Sequence, residues 1–221
     1  MIEKLKEFIR GRYNISFSKA GDDIQLMKLI NQSKPGTYVD VGCWHPYKAS
    51  NTYYFYLRNW KGICIDPNPE LIELYKKFRP RDNFINAGIG AENSSLDYYM
   101  FEESSMNTFS EYFYKNHKQY SKLVNKIRIP LFSLKEILDK NIDEKDRLDF
   151  FDIDVEGFDL DVLKSNDWQK YRPKIIIIES DIPIKQDLDS EIVQYLELQN
   201  YRLLGKSIIQ GDLGNLFLIS N

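Results

Sequence analysis

At 221 residues with 43% hydrophobic content, the chain is long enough to bury one substantial core and suits a single domain. Its net charge of −3, with acids and bases interspersed, excludes the basic footprint that a nucleic-acid backbone or an anionic membrane demands. Apolar runs such as residues 175–178 are far too short to span a bilayer, and the first residues lack a signal-peptide core, so a cytoplasmic protein without a membrane span is expected.

Residues 2–10 place Ile2, Leu5, Phe8 and Ile9 on one helical face, and a second helix is expected after the polar stretch 16–23, capped by Asp22 or Asp23. The organising stretch is 37–46. Tyr38-Val39-Asp40-Val41 reads as a buried parallel strand, with Asp40 at its carboxyl end and Gly42 allowing a sharp turn close to a ligand. Ser50-Asn51-Thr52 is a helix start. The next strand, Gly62-Ile63-Cys64-Ile65, stops at Asp66-Pro67-Asn68-Pro69. Asp66 lies 24 residues after Gly42, close to the ~20-residue spacing at which a second strand offers a carboxylate to a ribose. No further glycines follow Gly42 to cradle a pyrophosphate, so a nucleoside ligand such as S-adenosylmethionine fits better than a dinucleotide. The plain alternative is that Asp40 and Asp66 only cap helices. The two cysteines, Cys43 and Cys64, suit reduced thiols and make no zinc site alone.

A helix over 70–78 and a third strand over 83–89 complete three strand–helix alternations, which predicts a Rossmann-like, doubly wound α/β sheet. Added edge strands are expected at 96–101 and 127–131. Between them, 102–126 is a long aromatic insertion that reads as a binding lid, as a helix packed on the sheet edge, or as a homodimer contact. After a short helix at 133–138, residues 148–157 supply the fourth strand and the densest acidic cluster. On a continuing strand Asp152, Asp154 and Glu156 would share one face, an arrangement that demands a cation, a shared proton or a break in the strand. A helix from Asp159 and a fifth strand at 174–178, ending at Glu179-Ser180-Asp181, lead to a helix at 191–199 and an antiparallel pair, 201–209 with 213–219. The expected organisation is one domain over 1–221, with 1–35 as an N-terminal helical segment and 102–126 as the lid.

In this order and spacing, Val39-Asp40-Val41-Gly42, His45-Pro46, Ser50-Asn51-Thr52, Trp60-Lys61-Gly62, Asp66-Pro67-Asn68-Pro69 and Ile153-Asp154-Val155-Glu156-Gly157 resemble the FkbM-type family of S-adenosylmethionine-dependent methyltransferases. Many members carry a glycine-rich loop where this chain has Cys43-Trp44-His45-Pro46, as in one branch of the family. The resemblance implies a class I methyltransferase fold and methyl transfer to a hydroxyl of a sugar, nucleotide-linked or a polysaccharide precursor, or of a natural product. It implies cofactor contacts at Asp40, Gly42, Asp66, Pro67, Asn68 and Ala87. Of the two histidines, His45 follows the ligand-binding turn and is the expected general base, unless it caps the next helix. Asp154 and Glu156 are further catalytic candidates. Asp154 and Glu179 end adjacent strands and are candidate ligands for a magnesium or manganese ion, unless the acids bind substrate hydroxyls directly. A nicotinamide-dependent sugar-modifying enzyme and a non-catalytic nucleoside-binding subunit are the alternatives.

Overall fold

The computed structural model describes residues 14–30, 34–90, 94–143 and 147–221; the helix expected over 2–10 falls outside the described residues. Strands β1 (Thr37–Val41), β2 (Lys61–Ile65) and β3 (Asn83–Ile85) are followed by the short β4 (Gly88–Ile89), then β5 (Ser94–Phe101) and β6 (Leu123–Phe132). Strands β7 (Leu148–Ile153), β8 (Ile175–Ser180), β9 (Tyr201–Gln210) and β10 (Leu213–Ser220) complete the set. The main sheet is seven-stranded, in the order β3-β2-β1-β7-β8-β10-β9. Its strands run parallel except for β10, which is antiparallel to both β8 and β9. This is the expected doubly wound sheet with a closing hairpin.

Strand periodicity divides the core in two. Val39, Val41, Ile63, Ile65, Phe151, Ile153, Ile176 and Ile178 face one layer, with Leu134 and Leu138, Val162 and Leu163, and Val193 and Leu196 from three helices. Tyr38, Cys64, Phe150, Ile175 and Ile177 face the other, with Leu26, Ile30, Phe55, Leu71 and Tyr75. Asp40 and Asp152 are partners in the β1–β7 register and occupy positions alternating with the first layer, so both turn toward the helix Asp22–Ile30. On that helix Leu26 and Ile30 follow Asp22 at four-residue intervals, so the seam that docks the helix also carries Asp22 inward, 0% exposed.

Three expectations are corrected. The segment expected as one third strand breaks at Asn86-Ala87: Asn83–Ile85 joins the main sheet, whereas Gly88–Ile89 pairs with β6. The segments expected as added edge strands do not extend the main sheet; β5 and β6 pair antiparallel in a separate three-stranded sheet. The helix expected from Ser50-Asn51-Thr52 covers only Tyr53–Tyr56, and Thr52 gives it no side-chain cap. Ser50 Oγ accepts from Tyr53 N instead, because the Thr52 hydroxyl is committed to Asp40.

Candidate active site

A cleft of about 750 Å³ lies over the carboxyl ends of the central strands. It is bordered by Asp40, Gly42, Asp66, Pro67, Ala87, Asp154, Glu156 and Glu179, and roofed from the insertion by Met106, Phe109, Phe113 and His117. The insertion holds a 3₁₀ turn at Ser104–Met106 and a helix at Glu111–His117. It is tied down at both ends of the cleft. Trp44 Nε1 donates to Ser104 Oγ at 3.0 Å, and Thr108 Oγ1 donates to the Glu156 carbonyl at 3.4 Å. Phe113 lies so close to Gly157 that a Cβ there would meet its ring at 2.5 Å.

At one end of the cleft Gly42 adopts φ +81°, and a Cβ on it would fall 1.7 Å from the Asp154 carbonyl, so only glycine lets the turn lie against β7. Asp66 accepts from Trp44 N at 3.0 Å and from Asn68 N at 2.8 Å. Burial pushes its carboxyl up to about 7, against the pull of those two amides. Trp44 is held with φ 40°, a conformation a bulky side chain rarely adopts. The Asp66 and Ser104 contacts hold it there. Asn107, 9% exposed, accepts from Phe101 N while its Nδ2 has no hydrogen-bond partner and borders the same end.

At the other end the strand carrying the acids stops at Ile153, and the chain turns through Glu156 at φ 49° and Gly157 at φ 92°. The break keeps the acids off one continuous strand face but does not disperse them. Ligand oxygens of Asp154, Glu156 and Glu179 lie within 4.8 Å of one another. Burial, then the Asp154 charge, raises the Glu179 and Glu156 carboxyls, and Glu179 hydrogen-bonds to Asp154. Asp152 is pushed well above the ordinary carboxylate value by burial and by neighbouring Asp40. Asp159 steadies the turn by accepting from Val155 N and Gly157 N.

Two candidate residues stand apart from the cleft. Asn68 does not border it; its amide donates to Asp66 and its side chain accepts from Glu70 N, so it shapes the turn. The imidazole of His45, expected to face the acceptor, is also outside. Its Nδ1 accepts from Tyr47 N and Lys48 N, and its ring stacks edge-on against Tyr47 at 4.4 Å. Burial, with Lys48 nearby, lowers its pKa. The other histidine, His117, does border the cleft, its Nδ1 donating to the Met106 carbonyl at 3.0 Å. Sequence reading also missed Arg79, which is 0% exposed behind the cofactor turn. It donates to Asp82, Thr52, Tyr38 and the Pro46 carbonyl.

Residues 36–203 match the methyltransferase FkbM domain. The chain belongs to that family. It is therefore an enzyme of the S-adenosylmethionine-dependent methyltransferase class, which sets aside the nicotinamide-dependent and non-catalytic alternatives. Among solved structures, the METTL16 methyltransferase domain superimposes with a TM-score of 0.50 at 13% identity, covering 89% of this chain and 65% of that one. A precorrin-6y C5,15-methyltransferase from Geobacter metallireducens GS-15 gives 0.49 at 11% identity, over 90% and 88%. A methyltransferase from Geobacter sulfurreducens gives 0.47 at 13%, over 100% and 89%. At 13% identity the likeness to the METTL16 domain speaks for the fold alone. No curated protein matches the chain.

The first end of the cleft of this FkbM-domain enzyme fits the cofactor. Gly42 lets the turn lie against the end of β7, and Asp66 beside it keeps lone pairs beyond its two amide bonds, of the kind ribose hydroxyls take. Among the described residues no helix is long and apolar enough to cross a membrane.

Proposed function

We propose that this enzyme methylates a hydroxyl of a carbohydrate or of a hydroxylated natural product. The observation that carries the proposal is the convergence of Asp154, Glu156 and Glu179 in the same cleft as the cofactor end. S-adenosylmethionine supplies an electrophilic methyl group on a sulfonium. The protein's task is to hold an acceptor oxygen in line with that carbon at about 3 Å and to take its proton as the oxygen–carbon bond forms.

Asp40, Gly42, Asp66, Pro67 and Ala87 hold the cofactor, with Asn68 supporting Asp66. Glu156 is the general base. It borders the cleft on a left-handed backbone that the neighbouring turn holds in place, and its carboxyl is held above its ordinary value, nearer the pH at which proton transfer is efficient. Asp154 and Glu179 are oxygen ligands of the kind a magnesium or manganese ion takes, and such an ion would offset the repulsion among these acids. Met106, Phe109 and Phe113 give the cleft an apolar roof, which limits the water that would compete for the methyl group. The deciding experiment is an acceptor screen with S-adenosylmethionine, read as a mass increase of one methyl. If S-adenosylhomocysteine binds and no hydroxyl-bearing acceptor gains a methyl, the hydroxyl assignment is wrong.

A further inference from the structure

We infer that Thr108, on the insertion, is a positioning residue: its hydroxyl holds the backbone of Glu156 so that the carboxyl meets the acceptor. This rests on the general-base reading of Glu156 and adds the part of the chain that aims it. Strand β7 has ended at Ile153, and Glu156 sits at φ 49°, a left-handed conformation that a non-glycine residue keeps only when its surroundings fix it. Asp159 holds the two amides on either side, accepting from Val155 N and Gly157 N. The Glu156 carbonyl is held from the insertion, by Thr108 Oγ1 at 3.4 Å.

The same hydroxyl organises a second contact with this turn. Thr108 Oγ1 accepts from Ser110 N at 2.9 Å, and Ser110 Oγ accepts from Phe113 N and so caps the helix Glu111–His117. That helix lays the Phe113 ring against Gly157, the residue after Glu156. A hydroxyl has one proton and two lone pairs, so Thr108 makes both bonds at once. Its own place is fixed. Thr108 is 2% exposed, and its backbone pairs with Tyr99 in both directions: Tyr99 N donates to the Thr108 carbonyl at 2.9 Å, and Thr108 N to the Tyr99 carbonyl at 3.1 Å. Tyr99 belongs to β5, which pairs antiparallel with β6, and its ring stacks on Tyr114 of the same helix at 4.3 Å. The separate three-stranded sheet is thereby a bracket for the base as well as a cover for the cleft.

The test is a double-mutant cycle on turnover, with saturating S-adenosylmethionine and the acceptor that the screen returns. Thr108→Val removes the hydroxyl and keeps the shape. It is expected to lower kcat at least about tenfold, within the ~10²-fold that a 1 Å misplacement can cost, and to leave the Kd of S-adenosylhomocysteine unchanged. Thr108→Ser, which restores the hydroxyl, should recover most of the loss. In the Glu156→Gln background Thr108→Val should cost less than about twofold more, because the group it aims is gone. Wild-type kcat in Thr108→Val overturns the inference. So does the same tenfold loss in the Glu156→Gln background, or a parallel loss of S-adenosylhomocysteine affinity, since either shows that Thr108 serves the fold at large. If Glu156→Gln keeps wild-type turnover, the general-base reading has failed and takes this inference with it. If the screen returns no acceptor, hydrogen exchange decides. The Val155 and Gly157 amides should exchange faster in Thr108→Val than in wild type or Thr108→Ser, and unchanged exchange overturns the inference.

Discussion

Arg79 reaches Asp40 through a single hydroxyl: Arg79 Nη1 donates to Thr52 Oγ1 at 3.0 Å, and Thr52 Oγ1 donates to Asp40 Oδ2 at 2.5 Å. Burial raises the Asp40 carboxyl, and the guanidinium and the threonine hydroxyl pull it back. The same guanidinium pairs with Asp82 at 2.6 Å, both side chains being 0% exposed. Removing it leaves two buried carboxylates without their cation, a change that typically costs ~3–5 kcal/mol. Arg79→Met is expected to lower the urea midpoint accordingly, and Arg79→Lys to recover only part of it, since an ammonium cannot reproduce the fork.

Cofactor affinity should follow the ionisation of Asp66. An ionised carboxylate accepts from ribose hydroxyls and a protonated one competes as a donor. With the carboxyl at about 7, binding of S-adenosylhomocysteine should weaken as the pH falls through that value. Asp66→Ala is expected to cost ~1.5–3 kcal/mol, roughly 10- to 150-fold in Kd, and to flatten the pH profile. Calorimetry from acid to neutral pH reads both, and an unchanged Kd in the variant removes the assignment.

Stability of the ligand-free protein should be higher in acid than near neutrality. Asp66 and Asp159 are both raised from 3.8 to about 7, chiefly by burial. Each raised acid favours the folded state fully below its unfolded value and loses that contribution as pH rises through its folded value. The window therefore runs from about 4 to about 7. The Tm should fall across it, and Asp159→Asn, which keeps the size and removes the charge, should shrink the fall.

Glu156→Gln is expected to lower turnover by ~10²–10⁴ with little change in S-adenosylhomocysteine affinity, because a base contributes mainly in the transition state. His45→Gln, at a residue outside the cleft, should keep turnover within about twofold of wild type, in line with a substitution distant from the chemistry. The reverse ranking would return the base to the histidine.

Chelation tests the cation. Exhaustive treatment should reduce activity, and magnesium or manganese should restore it in wild type but not in Glu179→Gln, which loses a charged oxygen ligand. Full activity after chelation would leave Asp154 and Glu179 as ligands of substrate hydroxyls.

What was legible in the sequence was what local pattern determines. Apolar runs such as Tyr38-Val39-Asp40-Val41 and Ile175-Ile176-Ile177-Ile178 announced buried parallel strands, and the acids after them marked the ligand-binding edge. Pairing between distant segments was not legible. Nothing local distinguishes β5 and β6 as a separate sheet from strands added to the main one, and the break at Asn86-Ala87 depends on Gly88–Ile89 finding β6. His45 reads as the base because it follows Gly42 by three residues, and nothing in that spacing announces that its Nδ1 accepts from Tyr47 N and Lys48 N. Arg79 reads as an ordinary basic residue after a helix, and its burial follows only once Tyr38, Thr52 and Asp82 converge on it.

The tie between Trp44 and Ser104 also gives the molecule a built-in optical probe. Of its three tryptophans, Trp60 and Trp168 are 2% and 8% exposed within the two core layers, where a ligand in the cleft leaves their surroundings unaltered. Trp44 alone borders the cleft, its indole bonded to the roof and its backbone amide to Asp66. Any event that fills the cofactor end or lifts the insertion changes the polarity around one indole and leaves the other two constant. Ligand entry and roof movement are therefore readable as intrinsic emission from an unlabelled protein, and Trp44→Phe supplies the blank.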